Sequence, residues 1–356
     1  MSAVRSLATV SSSSSSPRTL LLTLDAFGTL FYPRPPIPEQ YAAIAHDFGL
    51  SRTVTADTLK PAFKEVYRAQ AARYPNYGRA DVLRQRYGGP RQWWEEVIQG
   101  SFSRALISAQ PQQTPDKTPS KEDASAHHNN NNNNTLDLPA GMVDVLLDRF
   151  AGDGGYALYD DVAPFFARMR QIKSAAAEAP FDRVLLGIIS NSDDRVPAVL
   201  KALGVRVGDV RADQDLSSME LPGFEERRGG GAGEPIVPAH EQTLVRDLDL
   251  DFVITSYEAG EEKPSRKIFD VAKRQAQRLA CSSSSAHTST PASADGPDNW
   301  VCVHVGDDYA KDYLAAKDAG WESYLLPRNS GDQHSDARTI HSLLDLAENL
   351  IQAGPR

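Results

Sequence analysis

Four short stretches of the sequence end apolar runs in reactive side chains. "LLLTLDAFGTL" delivers Asp25 into a tight turn with Gly28 and Thr29; "SNSDD" begins at Ser190; "SYEAGEEKPSRKIF" contains Lys263; and "HVGDDYAKDY" carries Asp307, Asp308 and Asp312. A carboxylate nucleophile, a hydroxyl, a lysine and a further cluster of acids are the parts needed to move a phosphoryl group on a magnesium ion. Taken singly, each has an ordinary explanation. An acid after a strand serves as a turn or cap residue, Ser190 and Asn191 cap a following helix, Lys-Pro opens one, and clustered acids decorate a helix N-terminus. Their order along successive strand ends is what chance does not supply, because reactive groups of an open α/β sheet gather beyond the carboxyl ends of its strands.

The elements that must position these groups alternate in type. Short β-rich apolar runs stand at 20–24, 184–189, 252–255, 301–305 and 323–326, and the last four each lead into a helical pattern. Near-continuous apolar strands are buried on both faces, which predicts a parallel sheet under helices, an α/β fold. The second run leads into a helix starting near Asp193 with Val196, Val199, Leu200 and Leu203 on its apolar stripe. The third leads into one starting at Lys267 with Ile268, Val271 and Leu279. A terminal helix carries Ile340, Leu343, Leu344, Ala347, Leu350 and Ile351 on one face. After the first run the pattern changes: from about Pro33 to about Tyr159 there are helical stripes and no convincing strand. These stripes are Tyr41, Ile44, Ala45 and Phe48; Leu59, Phe63, Val66 and Tyr67; Trp93, Trp94, Val97, Ile98 and Phe102; and Met142, Val145 and Leu146. They predict a small helical domain over the end of the sheet, with the aromatic residues as its core rather than as a platform for ligand.

The 356 residues, 40% hydrophobic and 24% charged, suit an ordinary globular protein with room for two domains. With 38 basic against 47 acidic residues the net charge is -9 and no basic stripe exists, so nucleic acid is not an expected partner. No apolar run approaches the roughly 18 residues of a membrane span. Cys281 and Cys302 allow neither a disulfide framework nor a zinc site, which points to an intracellular protein, cytoplasmic or nuclear. The Ser-rich, acid-free segment 1–18 reads as a disordered tail, or as a weak presequence that would make the location mitochondrial. Low-complexity composition marks inserts near 108–135, 174–180, 219–241 and 282–298, and the His127-His128 pair beside the Asn run belongs to the first of these rather than to a metal site.

"LDAFGTL", "IISNS", "KPSRKIF" and "HVGDDYAKDY" resemble, in order, motifs one to four of the haloacid dehalogenase-like hydrolase superfamily. "YRAQAARYPNYG" and "RQWWEEVI" resemble its eukaryotic domain-containing protein 3 branch. The resemblance implies a Rossmann-like parallel core with helices on both faces, built from 19–32 and 160–356, and a helical cap, 33–159, inserted after the first strand. It implies Asp25 as nucleophile and Lys263 as the cation that neutralises it. It further implies Ser190, Asn191 and Thr29 beside the substrate, and Mg2+ held by Asp25, the Phe27 backbone carbonyl, Asp307 and Asp312. The partner would be a small-molecule substrate; the oligomeric state stays open.

Phe27 divides the possibilities. Phosphatases of this superfamily carry a second Asp two residues after the nucleophile, which protonates the leaving oxygen and then activates water; a phenyl ring does neither, and such help is worth about 10² to 10⁴-fold. "DAFGT" instead resembles the first motif of the 2-haloacid dehalogenases, which show Tyr or Phe at this place and attack carbon without metal. Those enzymes carry serine where Asp307 stands, because a second carboxylate without a cation would repel both Asp25 and an acidic substrate. Three readings therefore remain: a magnesium-dependent phosphoester hydrolase suited to a good leaving group, a metal-free dehalogenase-type hydrolase, and a catalytically weak fold that binds or regulates.

Overall fold

The computed structural model describes residues 18–109, 138–174, 181–212, 223–224, 248–284, 300–329 and 334–352. The N-terminal segment and most of each low-complexity stretch lie outside the described residues. The chain enters at β1 (Thr19–Leu24) and β2 (Phe31–Pro33). It continues through α1 (Ile37–Asp47), α2 (Ala56–Arg73), α3 (Pro75–Val82), α4 (Pro90–Ala109) and α5 (Met142–Arg149), returning at β3 (Tyr156–Leu158). Then follow α6 (Val162–Ser174), β4 (Arg183–Ser190), α7 (Val196–Ala202), β5 (Val207–Val210), β6 (Leu250–Thr255), α8 (Ser256–Ala259) and α9 (Arg266–Ser284). The last elements are β7 (Trp300–Gly306), α10 (Ala315–Asp318), β8 (Glu322–Leu325) and α11 (Leu343–Gln352).

Six strands form one parallel sheet in the order β5-β6-β4-β1-β7-β8. Strand alternation sorts β1 onto two cores. Leu20, Leu22 and Leu24 pack on one face with Phe165 and Phe166 of α6, Val199 and Leu200 of α7, and Leu343 and Leu346 of α11. Leu21 packs on the other with Ile268, Phe269 and Ala272 of α9 and Ala315 and Ala316 of α10. The sheet is thus wound on both faces, as the apolar runs predict. β1 lies between β4 and β7, so Asp25 leaves the sheet at its centre.

The α1 to α5 segment has its own core, in which Tyr41, Ala45, Leu59, Ile98, Phe102, Met142 and Leu146 pack together. Tyr41 and Phe102 stack at 5.8 Å. α2 starts at a reciprocal cap, in which Thr55 Oγ1 accepts from the Thr58 amide at 3.3 Å and Thr58 Oγ1 accepts from the Thr55 amide at 2.9 Å.

Several expectations need correction. The segment expected to lack strands is bounded by two: β2 and β3 pair antiparallel, Phe31 opposite Leu158, and carry the chain into and out of the helical segment. Three-residue strands are too short to show a period. β5, four residues long, escaped notice for the same reason. α11 begins at Leu343, and Ile340 instead continues the sheet edge, its amide donating to the Leu325 carbonyl at 2.9 Å. Leu344, expected on the apolar face, is 38% exposed. α7 begins at Val196 rather than near Asp193: the Asp193 carboxylate accepts from the Arg195 amide at 3.1 Å, closing a turn ahead of the helix, and Pro197 stands in the helix's first turn. Finally, Phe224, inside the expected insert 219–241, is buried in the core of the helical segment, with the Arg195 guanidinium 4.3 Å from its ring. A single phenylalanine among Gly, Pro and charges gives no periodic signal, yet it finds an apolar seat.

Candidate active site

The four expected strand ends converge. Asp25 follows β1 and is buried; its backbone amide donates to the Val305 carbonyl at 2.8 Å. The turn after it closes through Gly28, whose amide donates to the Phe31 carbonyl at 2.9 Å. Gly28 has φ +85°, and a Cβ there would stand 2.6 Å from Asp307 Oδ2. Glycine is therefore required twice over, for the left-handed backbone and for the close approach to an acid.

Lys263 sits at the centre. Its ammonium donates to Asp25 Oδ1 at 2.7 Å, to the Ile189 carbonyl at 2.8 Å and to Asp312 Oδ1 at 2.5 Å, which engages all three of its hydrogens. Asn191 fixes the Lys263 backbone reciprocally: its amide donates to the Lys263 carbonyl at 2.8 Å, and its carbonyl accepts from the Lys263 amide at 2.7 Å.

Asp25, Asp307 and Asp312 each offer a carboxylate oxygen, all within 4.8 Å of one another. Burial pushes the Asp25 carboxyl up to about 7; Lys263 pulls it down while Asp312 and Asp307 push it further up. Burial and Asp312 also raise Asp307, against the hydrogen bond from Thr29. Burial would raise Asp312 as well, yet Lys263 and His304 hold it well below the usual carboxylate range. Three acids against one ammonium leave excess negative charge in a buried place, and the Phe27 carbonyl accepts no hydrogen bond among the described residues. This oxygen-rich set fits a hard divalent cation such as Mg2+.

The chain reaches Asp312 through a π-helical turn, Tyr309–Leu314, a geometry common at functional sites. Asp308 is not part of the cluster. Its carboxylate caps that turn, accepting from the Ala310 and Lys311 amides at 2.9 Å each, while its own amide donates to Asp312 Oδ2 at 3.0 Å.

Two expected substrate contacts differ in place. Thr29 is buried, does not line the cavity and donates to Asp307 Oδ1 at 3.0 Å; the turn at Gly28 aims its hydroxyl at the acid. Asn191 borders the cavity, but its amide is engaged with Lys263. Ser190 borders it at the end of β4.

The sequence reading missed His304. It is buried on β7, with Nε2 3.3 Å from Asp312 Oδ1 and Nδ1 2.9 Å from Thr23 Oγ1. Burial lowers its pKa against the pull of Asp312, which favours the neutral ring. The Asp312 carboxylate can only accept, so Nε2 carries the hydrogen, and Nδ1 faces the Thr23 hydroxyl, which also lies 3.3 Å from the Val303 carbonyl. A histidine within "VCVHVG" was the available signal.

From the acids a cavity of about 410 Å³ extends beneath the helical segment, bordered by Phe27, Phe63, Tyr67, Tyr77, Trp94 and Tyr156. The expectation that the aromatic stripes are core holds for Trp93, 2% exposed, but Phe63, Tyr67 and Trp94 of the same stripes face this space. Helical periodicity marks a buried face and does not distinguish a core from a pocket wall.

A family model for haloacid dehalogenase-like hydrolases matches residues 20–320. The chain belongs to that family. Mouse haloacid dehalogenase-like hydrolase domain-containing protein 3 is 25% identical over 307 residues, 86% of this chain and 81% of that protein. The Drosophila melanogaster rhythmically expressed gene 2 protein is 24% identical over 310 residues, 87% and 84% of the two chains. Among solved structures, a 2-haloacid dehalogenase from Pseudomonas syringae pv. Tomato DC3000 is similar at 16% identity, covering 94% of this chain and 99% of that one, with a TM-score of 0.45.

Proposed function

We propose that the protein is a magnesium-dependent hydrolase of phosphate monoesters. The observation that carries this reading is the cluster of Asp25, Asp307 and Asp312 around the single ammonium of Lys263. Asp25, Asp307, Asp312 and the Phe27 carbonyl would hold the ion, which supplies positive charge that lets an anionic phosphoryl group approach a carboxylate. Asp25 attacks phosphorus; the bond to the leaving oxygen breaks, and that oxygen departs with its electron pair and takes a proton from solvent. Water then attacks the aspartyl-phosphate, the bond to Asp25 breaks, and the water's proton leaves on the released phosphate. Lys263 stays fixed throughout and offsets charge on Asp25 and the transferring group. Ser190 donates to a phosphoryl oxygen. Phe27 gives neither step a proton, so the enzyme depends on a leaving group that departs unaided.

The acid cluster weighs against metal-free attack on a haloacid. Such a substrate would add a fourth negative charge beside one ammonium.

Magnesium should raise the melting temperature by mass action and be required for hydrolysis of p-nitrophenyl phosphate. Asp307→Asn should lose both responses. A variant as responsive as the parent chain, or halide release from 2-chloropropionate without metal, would overturn the reading.

A further inference from the structure

We propose that the leaving group is an uncharged planar aromatic alcohol, so that the substrate is an aryl phosphate with fused or extended rings; this rests on the phosphoester reading above. Three independent observations converge on it.

Shape comes first. The cavity, about 410 Å³, lies within the roughly 300–1,000 Å³ of small-molecule sites. Its walls away from the acids are dominated by rings, Phe27, Phe63, Tyr67, Tyr77, Trp94 and Tyr156, with Ile37, Val196, Val199 and the Asp193–Arg195 ion pair among the rest. Flat faces and edges select flat ligands. The phenol hydroxyls of Tyr67, Tyr77 and Tyr156 have no hydrogen-bond partner among the described residues and are available to polar substituents on such a ring. The wall is also held at a conformational cost. Tyr77 has φ +58° between Asn76 at +47° and Gly78 at +75°, a run of left-handed backbone that a bulky side chain avoids. The Asn76 side chain secures it to α8, donating to the Ser256 carbonyl at 2.8 Å and accepting from Ser256 Oγ at 3.0 Å.

Charge comes second. A nucleoside polyphosphate or a sugar bisphosphate would need a cation for its second anionic group. Arg195 is occupied: Nη2 and Nε donate to Asp193 at 2.7 and 2.9 Å, and its guanidinium lies 5.0 Å from the Trp94 ring. Lys311 is at the rim, its side chain 54% exposed and 3.9 Å from Asp308. Among the described residues, the rest of the ester is therefore met by rings and by an ion pair already closed on itself rather than by a free cation.

Leaving-group chemistry comes third. With Phe27 in place of an acid, the departing oxygen must carry its own negative charge. An aryloxide does this by delocalisation and an alkoxide does not.

The test compares the magnesium-loaded full chain on phenyl phosphate, 1-naphthyl phosphate, acetyl phosphate and glycerol 2-phosphate. Phenol and 1-naphthol are of similar acidity, so their ratio reads shape. Acetyl phosphate has a good leaving group without a ring. We expect kcat/KM for the naphthyl ester to exceed that of the phenyl and acetyl esters about tenfold or more, with glycerol 2-phosphate lowest. Tyr67→Leu, which keeps apolar bulk at a 37% exposed position but removes the flat face, should bring the naphthyl-to-phenyl ratio towards one. Equal rates on the naphthyl and phenyl esters, or acetyl phosphate as the best substrate, overturn the inference and leave the phosphatase reading intact. A binding arm separates the two: calorimetry with 1-naphthylmethylphosphonate against methylphosphonate. If no ester turns over yet the naphthyl compound binds at least tenfold tighter, the aromatic site stands and phosphoryl transfer falls; without such preference both fall.

Discussion

At position 27 a phenyl ring is 45% exposed and meets Phe31 and Tyr156 edge-on, with centroids 5.8 and 6.0 Å away. A carboxylate placed there would keep contact with water and escape the desolvation that burial would impose. Phe27→Asp should therefore fold and should raise phosphatase activity by one or more orders of magnitude, within the 10² to 10⁴-fold range of acid-base help. The gain should be larger on glycerol 2-phosphate than on aryl esters, which need no acid. A folded variant with no gain on either would show that Phe27 does not stand where the proton is needed. A second residue yields a pH dependence. Burial and the Asp193 carboxylate push Asp194 up to about 7, against a hydrogen bond from the Phe224 amide, and its Oδ1 is buried without a partner. The folded state thus binds this proton more tightly than the unfolded chain. Asp194 costs little at low pH, and its cost grows as pH rises from about 4 to about 7 and then levels off. Asp194→Asn, which keeps an acceptor for Phe224, should match the parent in melting temperature near pH 4 and exceed it at pH 8 by the equivalent of roughly 4 kcal/mol at most. Thermal melts at three pH values check it; a difference that does not change with pH would sink the idea.

The elements bring the reactive groups together through a few short connections. Asp25 and Lys263 were legible in the sequence because strand-end acids and lysines occur in a fixed order. The way they are held was not: Asn191 was read as standing beside the substrate, whereas it acts through two hydrogen bonds to the Lys263 backbone, and His304, on a neighbouring strand, has no local spacing to mark it. Long buried strands were legible for the same reason that β2, β3 and β5 were not: alternation needs more than three or four residues to show. Asn191→Ala tests the connection between β4 and the loop carrying Lys263. It leaves the Lys263 amide without its acceptor, so stability should fall by about 2 kcal/mol. Because the ammonium position depends on that loop, kcat should fall while KM changes little. An unchanged melting temperature would mean that the two hydrogen bonds are replaced by water; a lower one with full kcat would confine Asn191 to stability.

Across the whole molecule, the described residues build two sheet-facing cores and the core of the helical segment. α4 and α5 flank residues 110–137, yet Phe102 and Ala105 of the first pack in one cluster with Met142 and Leu146 of the second. The intervening sequence, dominated by Gln, Ser, Pro and a run of Asn, offers little apolar surface to add to that cluster. Replacing residues 110–134 by a short Gly-Ser linker should therefore leave a single cooperative unfolding transition, and magnesium-dependent activity close to that of the parent chain, because every described residue that borders the cavity is kept. Phe224 also lies within a stretch of unpromising composition and is nonetheless buried beside Arg195. A broadened or biphasic melt would mean that a residue of the Asn-rich segment occupies a comparable seat.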